Sequence, residues 1–117
     1  MIRMKRAWDE PDAEDGLRIL VDRLWPRGMK REKIDLWMKE VAPSPELRKW
    51  FGHDPARWEE FRSRYFAELE HSGAARELLL LVGSDRKITL IYAASDREHN
   101  NAAALLEYIL EHGGAGK

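Results

Sequence analysis

Apolar residues recur along this chain with two different periods, and the change from one to the other separates strands from helices. Ile2 and Met4 alternate with Arg3 and Lys5, the period-2 pattern of a strand with one wet face, which predicts a strand over 2–8 near a sheet edge. The acidic, proline-containing stretch 9–16 breaks that pattern as a surface loop. Leu17-Arg18-Ile19-Leu20-Val21 follows as a nearly continuous apolar run and predicts a strand inside the sheet. The loop between them supplies about eight residues, whereas a parallel crossover takes a dozen or more, so the two strands are either antiparallel or not direct neighbours.

Residues 34–41 fit neither period cleanly and are read as a third strand. Ser44-Pro45 is an N-cap with a first-turn proline, and Leu47, Trp50 and Phe51 then predict a short helix that Gly52 ends. Asp54-Pro55 repeats the device ahead of a longer helix, with Trp58, Phe61, Tyr65, Phe66 and Leu69 as its apolar stripe, closing near Gly73. A third helix is predicted over 74–82, burying Leu78, Leu79 and Val82. The run 87–93 is the clearest buried strand. Ser95-Asp96-Arg97-Glu98 reads as a capping box opening a last helix to Gly113, with Ala102, Ala103, Leu106, Ile109 and Leu110 inward and a frayed tail over 113–117. Strands separated by helices predict a single α/β domain, with a mostly parallel central sheet of about four strands flanked by helices. Ligands of such sheets bind at the carboxyl ends of the strands.

Composition narrows the chemistry. The 117 residues suit one domain, and 44% apolar with 35% charged residues at a net charge of −1 is ordinary for a folded protein and unlike a disordered one. With no cysteine, disulfides, thiolate metal sites and a cysteine nucleophile are excluded. No apolar run approaches the roughly 20 residues that span a bilayer. The basic N-terminus also lacks an apolar stretch behind it, so a cytoplasmic location without a membrane partner is expected.

Two segments carry candidate chemistry, both at carboxyl ends of predicted strands. After the strand 87–93, the turn from Ser95 to Asn100 offers free N–H donors suited to a phosphate or carboxylate, with Asn100 as a side-chain partner. His99, one turn before Ala103, is placed toward the sheet as a general acid or base, with Asp96 orienting it and Tyr92 orienting a ligand. The bland alternative is a core histidine bonded to a backbone carbonyl. After the strand 17–21, Arg23 and Arg27 flank the tight Trp25-Pro26 turn and can hold an anion through their planar forks, with Trp25 lining a pocket and Lys39 adding a cation. Their bland alternative is a salt bridge from Arg23 to Asp22 or Asp96 and a solvated basic loop. That loop holds Arg23, Arg27, Lys30, Arg31 and Lys33 with one acid, Glu32, and is a weak signal for nucleic acid. In His53-Asp54, Asp54 is accounted for as a helix cap, so no metal site is predicted. Dinucleotide, phosphate-loop and nucleophile-elbow motifs are absent, and no cofactor is expected.

The stretches from Leu20 to Gly28, from Val41 to Pro55, and Tyr92-Ala93-Ala94 with His99-Asn100-Asn101-Ala102 together resemble the DUF488 family in its short YeaO-like branch. The resemblance spans nearly the whole chain. It implies an α/β fold with a shared pocket near Arg23 and His99. Broader members carry Cys-His-Arg at the start of the last helix, where this chain has His99-Asn100-Asn101, so a role for that cysteine does not carry over. The expectation is a small enzyme or enzyme-like binder for an anionic, phosphate- or nucleotide-like substrate, performing hydrolysis or transfer. The alternative is a non-catalytic module that binds nucleic acid or a protein through the basic loop 23–33.

Overall fold

Five consecutive buried residues, Ile88 to Tyr92, mark a strand covered on both faces. The computed structural model, which describes residues 1–84 and 86–112, sets this strand inside a four-stranded sheet. Strand β1 spans Ile2–Arg6, β2 Leu17–Leu20, β3 Leu36–Trp37 and β4 Ile88–Tyr92, in spatial order β1-β4-β2-β3. Every pairing is parallel, with Ile88 in register with both Ile2 and Leu17. The first two strands are therefore not neighbours; β4 runs between them, which leaves the short 9–16 loop no direct crossover to make. The third strand shrinks to two residues. Met38 and Val41, three apart, turn inward as the chain winds into a short 3-10 turn over Lys39–Val41.

Helix α1 covers Pro45–Phe51, α2 Trp58–Glu70, α3 Gly73–Gly83 and α4 Asn101–His112. The local signals work as expected at the first two. The Ser44 hydroxyl accepts from the Leu47 N–H at 3.1 Å, and Asp54 accepts from the Ala56 N–H at 3.0 Å before a 3-10 turn runs into α2. The start of α4 is different. Asp96 rather than Ser95 is the turn-former, accepting from the N–H groups of Glu98 and His99, each at 2.9 Å. Asn100 then caps the helix, its carbonyl oxygen accepting from Ala103 N at 2.8 Å. The buried face of α4 is Ala102, Ala104, Leu105, Tyr108 and Ile109, so Ala102 and Ile109 lie inward as expected, whereas Ala103 and Leu106 are half-buried and Leu110 is exposed. The tail expected over 113–117 lies outside the described residues. Among those described, no helix is long and apolar enough to cross a membrane.

The two faces of the sheet are covered unequally. All four helices pack on the face carrying Ile19, Val21, Ile88, Leu90 and Tyr92. The other face is covered by irregular chain, with Trp25, Met29 and Ile34 over Ala7, Leu20 and Ile91. Toward the amino ends of the strands this face is polar. Arg3 and Lys5 of β1 and Arg18 of β2, the two strands that flank β4, converge on the buried carboxylate of Asp15 at 2.5, 3.0 and 2.5 Å. The basic positions that read as a wet strand face are thus the walls of an ion cluster.

Candidate functional site

Parallel pairing brings the carboxyl ends of β1, β2 and β4 to one edge. There the chain is tied together by side chains rather than by further ladder. Arg6 donates to the carbonyls of Ala94 at 2.8 Å and Ala93 at 3.1 Å. The Ala93 N–H donates to the Asp22 carboxylate at 2.9 Å, and the Asn101 amide donates to Val21 O at 3.0 Å, locking the first residue of α4 to the end of β2. Between these ends, the Pro43 segment and the far end of α1 lies a cavity of about 290 Å³. Trp25, Pro26, Pro43, Phe51 and Phe61 supply apolar walls, and Asp22, Arg23, Arg48, His53, Asn100 and Asn101 the polar ones.

The walls are held firmly. Trp25 donates its indole N–H to Met29 O at 2.9 Å and meets Trp37 edge-to-face at 5.4 Å between centroids. Phe51 stacks on Phe61 at 4.3 Å. The half-buried Arg23 reaches only long contacts, from Nη2 to Ala42 O at 3.3 Å and Pro43 O at 3.4 Å, while its buried Nε has no partner among the described residues. A buried donor left unmatched is costly, which makes this guanidinium a ready anion partner. Burial pushes the Asp22 carboxyl above its ordinary range, against the Ala93 and Asn101 hydrogen bonds and the nearby charges of Arg48 and His53. His53 holds a left-handed backbone, φ 58°, a conformation rare outside glycine and often found where a site imposes strain.

Of the residues singled out from the sequence, Arg23, Trp25 and Asn100 line this cavity. The Asn100 amide is already engaged, donating to Asp96 O at 2.9 Å while its oxygen caps α4. His99, Asp96, Tyr92 and Ser95 do not line it. His99 is bonded to Asp96 through Nδ1 at 3.0 Å and packs edge-on against Trp58 at 5.3 Å. The Tyr92 ring is buried, and its hydroxyl meets Arg97. Arg27 is exposed outside the cavity, and Lys39 lies over the Trp37 ring at 5.3 Å on the β3 edge. Arg23 makes no ion pair with Asp22 or Asp96. Arg48, His53, Asp22 and Asn101 complete the site unforeseen; Arg48 and His53 approach it from the α1 end, a long-range placement that leaves no local pattern. Among the described residues no group of three or more His, Asp or Glu is placed to share a metal.

The comparisons agree with one another. The uncharacterized protein Rv3073c of Mycobacterium tuberculosis is 40% identical over 111 residues, covering 93% of this chain and 92% of its own. The uncharacterized protein YeaO of Escherichia coli is 39% identical over 110 residues, covering 92% of this chain and 96% of its own. No solved structure matches the chain. The model of the family described as the inactive DUF488-N3 subclade matches residues 1–115. The chain belongs to the DUF488 family, in that subclade.

Proposed function

We propose that this chain is a non-catalytic binding domain for a small ligand that joins a flat apolar ring to a carboxylate or phosphate. The observation that carries the reading is Arg23, whose guanidinium faces the cavity with one buried N–H unmatched and two long contacts to carbonyls. An incoming anion would take up those donors in the two-pronged geometry that arginine favours, with Arg48 adding positive charge at the rim and His53 beside it. Trp25 and the Phe51–Phe61 stack suit a ring face. A volume of about 290 Å³ sits at the lower end for ligand pockets, which favours a single ring over a dinucleotide. The binding role, rather than a reaction, is supported by the subclade's description as inactive and by His99 pairing with Asp96 away from the cavity lining.

A thermal-shift titration with benzoate, phenyl phosphate, inorganic phosphate and a nucleoside monophosphate tests this. At ten times its dissociation constant a ligand adds about 1.4 kcal/mol, or roughly 5 °C for a domain of this size. The ring-bearing anions should reach that shift in the wild type and lose it in Arg23→Ala and Trp25→Ala. Asp22→Asn, which removes a carboxylate beside the anion, should bind more tightly near neutral pH. Shifts that survive Arg23→Ala would sink the assignment. A second reading draws on Arg27, Lys30, Arg31 and Lys33, all exposed, as a contact for a polyanion. It predicts that a short oligonucleotide binds in a salt-sensitive way, indifferent to Arg23→Ala and weakened by Lys30→Ala.

A further inference from the structure

Asp22 is the one acid on the cavity wall among the described residues; the other polar side chains there are arginines, an imidazole and amides. It shares the wall with Arg23 and Arg48, yet among the described residues no ion pair joins it to either: Arg23 turns to the carbonyls of Ala42 and Pro43 instead. The carboxylate accepts from the Ala93 N–H at 2.9 Å, with the Asn101 amide as a second donor. An ionised carboxylate has about four acceptor sites, so these two donors leave about half of them open. Burial raises the carboxyl above its ordinary range, as expected of a charge that its surroundings compensate incompletely. Holding the Ala93 N–H asks for a single acceptor, which an asparagine oxygen supplies without a half-buried charge. The structural bond therefore does not account for the carboxylate.

Two neighbouring residues just beyond β2 thus bring opposite charges to one cavity without neutralising each other. A ligand that is only an anion answers Arg23 and sets its own charge beside Asp22. One that also carries a donor answers both. Resting on the reading of this cavity as a site for a ring-bearing anion, we infer that its ligand also carries an N–H donor, an amino group or a protonated ring nitrogen, which bonds to Asp22 while Arg23 holds the anion. The apolar walls from Trp25, Phe51 and Phe61 strengthen both bonds by keeping the surroundings poor in water. Asp22 is then the residue that selects among ring-bearing anions: a donor to a charged acceptor in such a setting favours its ligand about tenfold or more, and a ligand without the donor leaves the carboxylate unanswered.

Isothermal titration of benzoate, 3-aminobenzoate and 4-aminobenzoate near neutral pH tests this, with the matching methylbenzoates as ligands of the same shape that lack the N–H. The wild type should bind at least one amino isomer about tenfold more tightly than benzoate and than its methyl counterpart. Asp22→Asn keeps an oxygen for the Ala93 N–H and turns amide donors toward the ligand, so it should bind benzoate more tightly and lose the preference for the amino isomer. Arg23→Ala should weaken every one of these anions. Benzoate binding that depends on Arg23, with no gain for either amino isomer over its methyl counterpart, overturns this inference and leaves the anion site standing. That comparison needs only the wild type, so it decides even if Asp22→Asn folds poorly. A preference that persists in folded Asp22→Asn also overturns the inference, and failure of all these anions to bind the wild type overturns it together with the anion site.

Discussion

Asp15 is the acid held by the largest number of cations in the molecule's described part. Its side chain is 1% exposed and bonded to Arg3, Lys5 and Arg18. Burial alone would raise its carboxyl, but hydrogen bonds from Lys5, the Asp12 backbone, Arg3 and Arg18 together hold it well below the carboxylate range. Arg18 is itself 7% exposed, so removing its counter-charge strands a buried cation. Asp15→Asn should therefore cost about 3 kcal/mol at pH 7, read by urea denaturation. The sign of the pH dependence follows from the depressed carboxyl. Its contribution is full above the ordinary value of 3.8 and is lost as pH falls below it toward the folded-state value. The gap between wild type and Asp15→Asn should narrow progressively once the pH drops under about 4. A gap of constant size from pH 7 to pH 2.5 would show that the cluster acts by packing rather than by charge.

Elements are placed by a few backbone positions whose demands are local, and by others that only the assembled fold reveals. Gly16, between the 3-10 turn at Ala13–Asp15 and β2, has φ 62° and lies so close to the start of β4 that a Cβ would stand 2.2 Å from Lys87 O. Gly28 has φ 78° with nothing within 4 Å of a Cβ. Alanine should then cost at least about 2 kcal/mol at position 16 and only about 1 kcal/mol at position 28, measured by chemical denaturation. Equal costs would mean that conformation alone matters and the contact with Lys87 does not. The same division explains which elements could be read from the sequence. The caps at Ser44 and Asp54, the stripe of α2 and the apolar runs of β2 and β4 rest on neighbours in sequence, and they stand as expected. The start of α4 does not. Ser95 and Glu98 have the spacing of a capping box, but Asp96 takes the Glu98 N–H that Ser95 would cap, Asn100 caps the helix further on at Ala103 N, and the bond from Asn101 to Val21 O fixes the helix to the sheet. In the cavity, Arg23 and Trp25 were legible because they directly follow a buried strand, whereas Arg48 and His53 arrive from another element with no periodic signature.

For the whole molecule, the unequal covering of the sheet decides where it opens first. One face is sealed by four helices and the large aromatic core around Phe51, Phe61 and Tyr65, whose hydroxyl donates to Val41 O at 2.5 Å. The other is closed by the chain from Leu24 to Ile34, which buries only a small cluster, is braced internally by Trp25 to Met29 O and is tied to the sheet by Arg18 to Lys33 O. Lifting that cover exposes little apolar surface compared with unfolding the helical layer, so it should open at a lower free energy than the core. The same stretch carries Arg27, Lys30, Arg31 and Lys33, all exposed, so trypsin at low ratio reports the opening directly. The first cuts should fall after these four residues, ahead of Arg57, Arg62, Arg64 or Arg76. Because Arg23, Trp25 and Pro26 line the cavity, a bound ring-bearing anion should slow those cuts in the wild type and leave their rate unchanged in Arg23→Ala. Early cleavage within α2 would place the weak point in the helical layer instead, and protection that persists without Arg23 would detach the cover from the cavity it borders.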